Sequence, residues 1–411
     1  MTVTFRLSRR LGVLAVAVGV AATGLLAIPS ASAQPFYETP TALPANNGDI
    51  IRSEPSIFYL DPINLIKIDA NVRRILYRST DRTGKPIAVS GTVITPKSAW
   101  FGVGERPIVG YAPGTQGLAD HCAPSRQLTV GTEYEGPFVL GMITRGYAVA
   151  LTDYQGLGTD GAHTYMNRVV QGHAVLDSIR AAQRLPAAGV PANGPVAVHG
   201  YSQGGGAAAA AAELAPTYAP ELKLKGVSMG AVPADLSAVA RTLDGSLYMA
   251  FLGYATYGLA AGYGIDMAPY LNATGKQVFA DVVGKCTLEA LPAAAFKKSA
   301  TLTADGKPIT ELLANNPLFK TVIDEQRIGR IKPTVPVLIS HSALDDVIPY
   351  SVGKTLASTW CDKDANVRLA PNLGPTHVGG AVASYPGAFA WLEARFAGLP
   401  ALSNCWAVPF L

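Results

Sequence analysis

The chain has 411 residues, of which 49% are hydrophobic and 15% are charged, and it contains only 4 cysteines. This composition excludes a disordered chain, a collagen-like chain and a small disulfide-stapled scaffold. The formal net charge is +4, but three of the arginines lie within the first ten residues, in a leader that is predicted to be removed. A nearly neutral chain without basic runs binds nucleic acid poorly, so no nucleic-acid partner is expected.

Residues 1–33 have the pattern of a signal peptide. Three arginines precede an apolar stretch at residues 11–28, and Ala31-Ser32-Ala33 is a small-residue cleavage site. A retained membrane anchor is the alternative, but the proline-rich segment that follows favours cleavage. We therefore expect a secreted protein, located outside the cell or in the cell envelope. Arg9-Arg10 is compatible with twin-arginine export, and the export route stays open.

Short apolar runs alternate with helical patterns along the rest of the chain. The predicted strands are Ile75–Ser79, Ile87–Ile94, Pro107–Tyr111, Ala148–Asp153, Pro195–Gly200, Gly226–Ala231, Val335–Ser340 and Val367–Leu369. The clearest helical patterns are Val169–Ala182, Gly205–Ala215, Val352–Trp360 and Ala388–Phe396. Such alternation is typical of an α/β fold with a mostly parallel sheet. The first two strands have no helix between them, so we expect them to form an antiparallel hairpin.

A long connection separates the Gly226–Ala231 strand from the Val335–Ser340 strand. Connections of this length are uncommon unless they have a fold of their own. Residues 235–327 are therefore predicted to form a large, mainly helical cap inserted between two late strands. The flanking segments, 34–234 and 328–411, are predicted to be the two parts of the core.

The predicted cap contains an uncharged stretch, residues 245–265, that is long enough to span a bilayer. Five glycines and four tyrosines dilute it, so we expect a buried or surface-active helix rather than a membrane span. Its apolar side chains suit an acyl chain, and Leu247, Phe251 and Tyr254 are predicted to bind substrate. The cap is predicted to make transient contact with a lipid interface.

The segment Gly200-Tyr201-Ser202-Gln203-Gly204 matches the G-x-S-x-G pattern. It follows a predicted buried strand and begins a predicted helix, which is the setting of a nucleophile elbow. The two glycines leave room for the tight turn that exposes the serine hydroxyl. We therefore predict that Ser202 is a nucleophile, the alternative being a surface serine in a glycine-rich turn.

A serine hydroxyl needs a neighbouring base before it can attack a carbonyl carbon. Of the six histidines, only His377 follows the last predicted strand in the order serine, acid, histidine. It is predicted to lie in a glycine-rich loop at residues 373–380. The acid is expected after the Val335–Ser340 strand, where Asp345 and Asp346 are both candidates. Asp345 is favoured because it stands four residues before Pro349.

The oxyanion hole requires two N–H donors directed at the developing negative charge. The backbone N–H of Gln203, directly after the nucleophile, is predicted to be one of them. The second is expected in the loop after the Pro107–Tyr111 strand. Gly114 and Thr115 are both candidates for it, and the sequence does not choose between them.

An exported chain with an even number of cysteines is expected to form disulfides. The four cysteines are Cys122, Cys286, Cys361 and Cys405. Three pairings are formally open, and Cys361 with Cys405 encloses the shorter loop.

Taken together, these motifs resemble those of the secretory lipases typified by Candida antarctica lipase A, a family of the α/β-hydrolase superfamily. The matching segments are Gly200-Tyr201-Ser202-Gln203-Gly204-Gly205, Asp345-Asp346-Val347-Ile348-Pro349-Tyr350, His377, Cys122-Ala123-Pro124-Ser125 and Tyr218-Ala219-Pro220-Glu221-Leu222. The resemblance implies an α/β-hydrolase core, ester hydrolysis on acyl chains, and the disulfides Cys122–Cys286 and Cys361–Cys405. The family elbow often has glycine where this chain has Gln203, a substitution that could alter the acyl pocket.

The leading hypothesis is thus a secreted ester hydrolase, a lipase or an esterase, acting on acyl-glycerol type substrates. A serine peptidase and a cell-envelope acyltransferase with the same triad are the alternatives, together with a non-catalytic binding protein. A peptidase of this fold normally needs an acidic site for a substrate amino terminus, and acids are sparse around residues 245–265. No cofactor fingerprint or metal-ligand motif is present in the sequence, so neither a cofactor nor a metal is expected. The oligomeric state stays open.

Overall fold

The computed structural model describes residues 35–411, so the predicted signal peptide lies outside the described residues. The centre of the described part is a nine-stranded sheet. Its strands are β1 (Ile50–Pro55), β2 (Ala70–Thr80), β3 (Pro86–Pro96), β4 (Ile108–Ala112), β5 (Ala148–Thr152), β6 (Val196–Tyr201), β7 (Leu224–Gly230), β8 (Val337–Ser342) and β9 (Val367–Asn372). Across the sheet the order is β1-β2-β3-β5-β4-β6-β7-β8-β9.

The sheet is antiparallel at one edge and parallel elsewhere. Pairing is antiparallel between β1 and β2, between β2 and β3 and between β3 and β5. The remaining neighbours in the sheet order, from β5 through β4 to β9, are parallel. All eight predicted strands are present, including the predicted hairpin of β2 and β3. β1 was not predicted, because this edge strand is only half-buried and reads Ile-Ile-Arg-Ser-Glu-Pro, without a clear alternation of apolar and polar residues.

Helices cover both faces of the sheet. They are α1 (Pro124–Val130), α2 (Gly136–Thr144), α3 (Arg168–Gln183), α4 (Gln203–Tyr218), α5 (Leu236–Leu243), α6 (Met249–Tyr263), α7 (Ala273–Val283), α8 (Thr287–Ala294), α9 (Ile309–Asn315), α10 (Pro317–Glu325), α11 (Tyr350–Cys361) and α12 (Thr376–Phe396). One face packs against α3, α4 and α11, and the other packs against α1, α2 and α12. Strands such as β4 are apolar at every position because both of their faces are buried.

The connection between β7 and β8 contains the six helices α5 to α10. We call residues 231–336 the helical insertion. The uncharged stretch at 245–265 contains α6, and no helix within residues 35–411 is long and apolar enough to cross a membrane. The insertion belongs to the same compact unit as the sheet, which comprises Pro35–Leu411.

Two disulfides are present, Cys122–Cys286 and Cys361–Cys405, which are the pairings that the resemblance implied. The first joins the insertion to the segment before α1. The buried Glu213 of α4 holds the end of the insertion. It forms an ion pair with Arg168 at the start of α3. The other Glu213 carboxylate oxygen accepts the Gly329 N–H at 2.7 Å. A buried charge is tolerated when it is paired and hydrogen-bonded in this way.

Candidate active site

Ser202 stands between β6 and α4, with φ 60° and ψ −121°. This strained conformation turns the serine out of the strand at the start of the helix. The flanking glycines are required by close backbone approaches. A Cβ on Gly200 would lie 2.2 Å from the Gly204 carbonyl oxygen, and a Cβ on Gly204 would lie 2.0 Å from the Ala112 carbonyl oxygen. The local geometry is that of a nucleophile elbow.

The loop after β8 places Asp345 against His377. Asp345 Oδ2 accepts a hydrogen bond from His377 Nδ1 at 2.8 Å, and the Asp345 side chain is fully buried. The other carboxylate oxygen accepts the Val347 and Ile348 N–H groups at 2.9 and 2.8 Å. Burial opposes ionisation of Asp345, but His377 and these N–H groups outweigh it and hold its pKa below the ordinary value.

Asp346 and Tyr201 hold His377 by its backbone. Asp346 Oδ1 accepts the His377 N–H at 2.9 Å, and Tyr201 Oη donates to the His377 carbonyl oxygen at 2.9 Å. The Tyr201 and His377 rings are 5.1 Å apart between centroids, which places the histidine beside the elbow. Because Asp345 engages Nδ1, Nε2 is the ring nitrogen available to Ser202. Within residues 35–411, Ser202 Oγ makes no hydrogen bond in this structure, and such contacts often tighten only when substrate binds.

The prediction that His377 lies in a loop is wrong. His377 is the second residue of α12, which begins at Thr376, before the predicted start of the last helix. The glycines that resembled a loop instead permit close packing: a Cβ on Gly380 would lie 2.8 Å from both Ser342 Cβ and Tyr201 Oη.

The two candidates for the second oxyanion donor differ in their hydrogen bonding. The Gly114 N–H donates to the buried Glu135 carboxyl at 2.7 Å, so it is not free to bind an oxyanion, which corrects that prediction. The Thr115 N–H has no partner among the described residues, while the Thr115 hydroxyl and carbonyl oxygen contact Tyr165, Tyr134 and Thr287. Thr115 is therefore the available donor of the two.

The Gln203 side chain is buried and lies against His163. It is 1% exposed, and its Nε2 lies 3.2 Å from His163 Nε2. The other ring nitrogen of His163 lies 2.8 Å from the Gln155 carbonyl oxygen, so Nδ1 carries the proton and Nε2 accepts from Gln203. Burial lowers the pKa of His163 to about 4, which keeps the ring neutral. The Gln203 side chain thus ties the start of α4 to His163, and it does not line the cavity described next.

An apolar cavity of about 590 Å³, counted with its solvent-filled mouth, opens beside Ser202. Its walls come mainly from the helical insertion and from the acid loop. The main lining residues are Leu236, Val239, Ala240, Leu243, Phe251, Leu252, Ala255, Thr256, Leu259, Val347 and Ile348. The described lining has no charged side chain, so the cavity suits an acyl chain better than a charged group.

Of the three predicted substrate-binding residues, only Phe251 lines this cavity. Leu247 precedes α6 and is 42% exposed, outside the cavity wall. Tyr254 is fully buried on another side of α6, where its hydroxyl donates to the Lys285 carbonyl oxygen at 2.9 Å. Contrary to the prediction, Leu247 and Tyr254 therefore do not line the cavity beside Ser202. Both errors arise because α6 is apolar on all sides, so that periodicity does not identify the face towards Ser202.

One group of potential metal ligands occurs among residues 35–411. His121, Cys122 and Cys286 bring three ligand atoms within 4.8 Å of one another. Both sulfurs are bonded in the Cys122–Cys286 disulfide, so they are not available as thiolates.

The site geometry agrees with comparisons to known proteins. A family model described as secretory lipase matches residues 122–404, which include the elbow, the acid loop and His377. The chain belongs to the secretory lipase family. Lipase 10 of Candida albicans is 30% identical to it over 406 residues, covering 93% of this chain and 84% of that protein.

Solved structures show the same fold at lower identity. Candida antarctica lipase A in its closed state superimposes with a TM-score of 0.79 at 24% identity, covering 90% of this chain and 88% of that one. The rice cell wall degrading esterase LipA from Xanthomonas oryzae gives a TM-score of 0.68 at 18% identity, covering 86% and 97%. These similarities confirm the predicted α/β-hydrolase fold. Membership of the secretory lipases makes the chain a carboxylic-ester hydrolase, as predicted.

Proposed function

We propose that this chain is a secreted lipase that cleaves acyl-glycerol esters through an acyl-enzyme on Ser202. The observation that carries the proposal is the position of Ser202 in the wall of a cavity that is largely apolar and enters the helical insertion. Thr256, in the same wall, also lines two further apolar cavities of about 320 and about 470 Å³ within the insertion. These spaces would accommodate a long acyl chain better than a short polar one.

In the proposed mechanism, Ser202 Oγ attacks the ester carbonyl carbon while His377 Nε2 takes the hydroxyl proton. Asp345 holds the ring tautomer and stabilises the imidazolium. The Gln203 and Thr115 N–H groups bind the oxyanion of the tetrahedral intermediate. His377 then gives its proton to the leaving alcohol. A water molecule, activated by the same histidine, hydrolyses the acyl-enzyme and restores Ser202.

Secretion and a covering cap are parts of the same proposal. Residues 1–33 would be removed as a signal peptide, and two disulfides suit an oxidising compartment. Residues 235–327 would act as a cap domain over Ser202, held near the oxyanion loop by Cys122–Cys286. Exposed apolar side chains of the insertion, such as Leu288 and Phe296, would make the transient contact with a lipid surface.

The same catalytic groups would serve an acyltransferase in the cell envelope. An acyltransferase would pass the acyl group to an alcohol other than water, which product analysis with added alcohol distinguishes. A peptidase is disfavoured because the described cavity wall offers no carboxylate for a substrate amino terminus.

The proposal predicts how acyl-chain preference responds to substitutions near the cavity. We expect kcat/KM on p-nitrophenyl esters to rise with chain length, and emulsified triglyceride to be hydrolysed. Phe251→Ala, which widens the wall, should change the ratio of long-chain to acetyl kcat/KM by about tenfold, while acetyl ester hydrolysis changes little. Leu247→Ala is the matched control, since Leu247 lies outside the wall, and it should leave the ratio within about twofold.

Two results would count against this account of specificity. Equal effects of Phe251→Ala and Leu247→Ala would show that the cavity beside Ser202 does not bind the acyl chain. A rate that is highest on the acetyl ester, with no hydrolysis of triglyceride, would identify a short-chain esterase instead.

A further inference from the structure

Two acidic residues that the mechanism does not use lie beneath the oxyanion loop, which we define as residues 113–117. Glu133 and Glu135 are both buried, at 5% and 4% exposure. They belong to the connection between α1 and α2, and the Glu135 N–H donates to Glu133 Oε1 at 2.9 Å. Buried carboxyl groups are uncommon unless they are paired or serve a purpose, so their contacts are informative.

Each carboxyl binds a residue directly next to Thr115. Glu135 Oε2 accepts the Gly114 N–H at 2.7 Å. Glu133 Oε1 accepts a hydrogen bond from Gln116 Nε2 at 3.2 Å. Thr115 is therefore clamped from both sides, and its own N–H is left without a partner among the described residues.

The opposite side of the loop is held by the helical insertion. The Gln116 carbonyl oxygen accepts the Thr287 N–H at 2.9 Å, and the Thr115 carbonyl oxygen accepts the Thr287 hydroxyl at 2.7 Å. The insertion thus fixes the carbonyl side of the loop. Among the hydrogen bonds of residues 35–411, those to the two carboxyl groups alone hold the Gly114 N–H and the Gln116 side-chain amide.

The hydrogen bonding around Glu133 indicates that this carboxyl carries a proton. Glu133 Oε2 and Gln116 Oε1 are both buried, and neither has a hydrogen-bond partner within residues 35–411. Both atoms are acceptors while Glu133 is ionised. A proton on Glu133 would allow the second hydrogen bond of an acid–amide pair, beside the existing bond from Gln116 Nε2.

We propose that Glu133 and Glu135 are positioning residues, a pair of buried carboxyl groups that must stay protonated to hold the oxyanion loop without placing negative charge beneath it. This inference rests on the function proposed above, because it assigns the Thr115 N–H to the oxyanion. The neutral pair acts as an acceptor for the loop, and an ionised pair would repel the oxyanion that forms during the reaction.

The surroundings of the pair favour the neutral forms. The titratable groups that face it are Tyr111 from β4, Tyr134 from the same connection, Asp153 and Tyr154 after β5, and Tyr385 from α12. No member of this set is a cation. Burial raises the pKa of Glu133, and burial followed by the Glu133 charge raises the pKa of Glu135.

The test compares Glu135→Gln with Glu135→Leu on a short p-nitrophenyl ester, with Ser202→Ala measuring the uncatalysed background. Glutamine can still accept the Gly114 N–H and cannot ionise, whereas leucine cannot accept. At about pH 6 we expect Glu135→Gln to keep kcat within about threefold and Glu135→Leu to lose about 10- to 100-fold, both with little change in KM.

The dependence of kcat on pH distinguishes a role in positioning the oxyanion loop from a role in stabilising the fold alone. As the pH rises towards about 9, wild-type kcat should fall on the order of tenfold relative to that of the double variant Glu133→Gln with Glu135→Gln, because only the wild type can then gain charge beneath the oxyanion. The thermal midpoint provides a second measurement. Because the pKa of each carboxyl is raised in the folded state, the pair stabilises the fold at low pH and this contribution is lost as the pH rises. The thermal midpoint of the wild type should therefore fall with rising pH, and it should fall less in the double variant Glu133→Gln with Glu135→Gln.

Three results would overturn the inference: unchanged kcat in a folded Glu135→Leu, equal losses in Glu135→Gln and Glu135→Leu, or the same alkaline profile in wild type and in the double variant Glu133→Gln with Glu135→Gln. If the leucine variant does not fold, the pH profile of the double glutamine variant still tests the inference. Activity that persists in Ser202→Ala would instead overturn the proposed function, so the two failures are distinguishable.

Discussion

Ser202→Ala is expected to reduce kcat on any ester substrate by 10⁴-fold or more, on the order of the loss known for catalytic serines. In the proposed mechanism, alanine removes the atom that forms the acyl-enzyme and leaves only transition-state binding by the Gln203 and Thr115 N–H groups. The measurement is kcat on a p-nitrophenyl ester with purified protein, corrected for spontaneous hydrolysis.

The fold should survive this substitution. Serine and alanine both carry a Cβ, so the substitution relieves little of the backbone strain at φ 60° and adds none, and Ser202 Oγ makes no hydrogen bond within the described residues that alanine would break. An unchanged thermal midpoint is therefore the required control. If a folded Ser202→Ala protein kept wild-type activity, the nucleophile would be a different residue.

Asp345→Asn is expected to lower kcat by about 10⁴-fold. The Val347 and Ile348 N–H groups both donate to Asp345 Oδ1, so an asparagine here would keep its amide oxygen on that side. Its NH₂ group would then face His377 Nδ1 and make it an acceptor. The ring proton would move to Nε2, and that nitrogen could no longer take the proton of Ser202.

Asp346→Asn is the matched control for this prediction. Asp346 accepts the His377 backbone N–H at 2.9 Å, and an asparagine oxygen can accept the same bond. We expect a loss below about tenfold, because the imidazole tautomer is not affected. A larger loss in Asp346→Asn than in Asp345→Asn would transfer the role of the acid by one residue and leave the rest of the mechanism unchanged.

The parts of this site that the sequence predicts are those with strong local rules. An elbow needs glycines on both sides of Ser202, and the chain order places Asp345 and His377 after the last two strands. Parallel strands bring their carboxyl ends to one edge, so residues far apart in sequence meet there. The structure brings Asp345 to 2.8 Å from His377 for this reason.

The parts that were missed depend on packing between distant segments. Glu133 and Glu135 stand in a connecting segment, where an acidic pair usually indicates a solvated turn, and only the fold buries them beneath the oxyanion loop. Gly114 could not be separated from Thr115 because the choice depends on the partner of each N–H. Likewise, α6 is apolar on all sides, so its sequence did not predict that Phe251 lies on the face towards the cavity.

The central claim, an acyl-enzyme on Ser202, is tested most directly by covalent capture. A p-nitrophenyl alkylphosphonate mimics the tetrahedral intermediate and phosphonylates an activated serine with release of p-nitrophenol. We predict one alkylphosphonyl group per chain by intact mass, located on the peptide that contains Ser202, with complete loss of esterase activity and no labelling of Ser202→Ala. A label on another residue, or full activity after stoichiometric labelling of Ser202, would contradict the account.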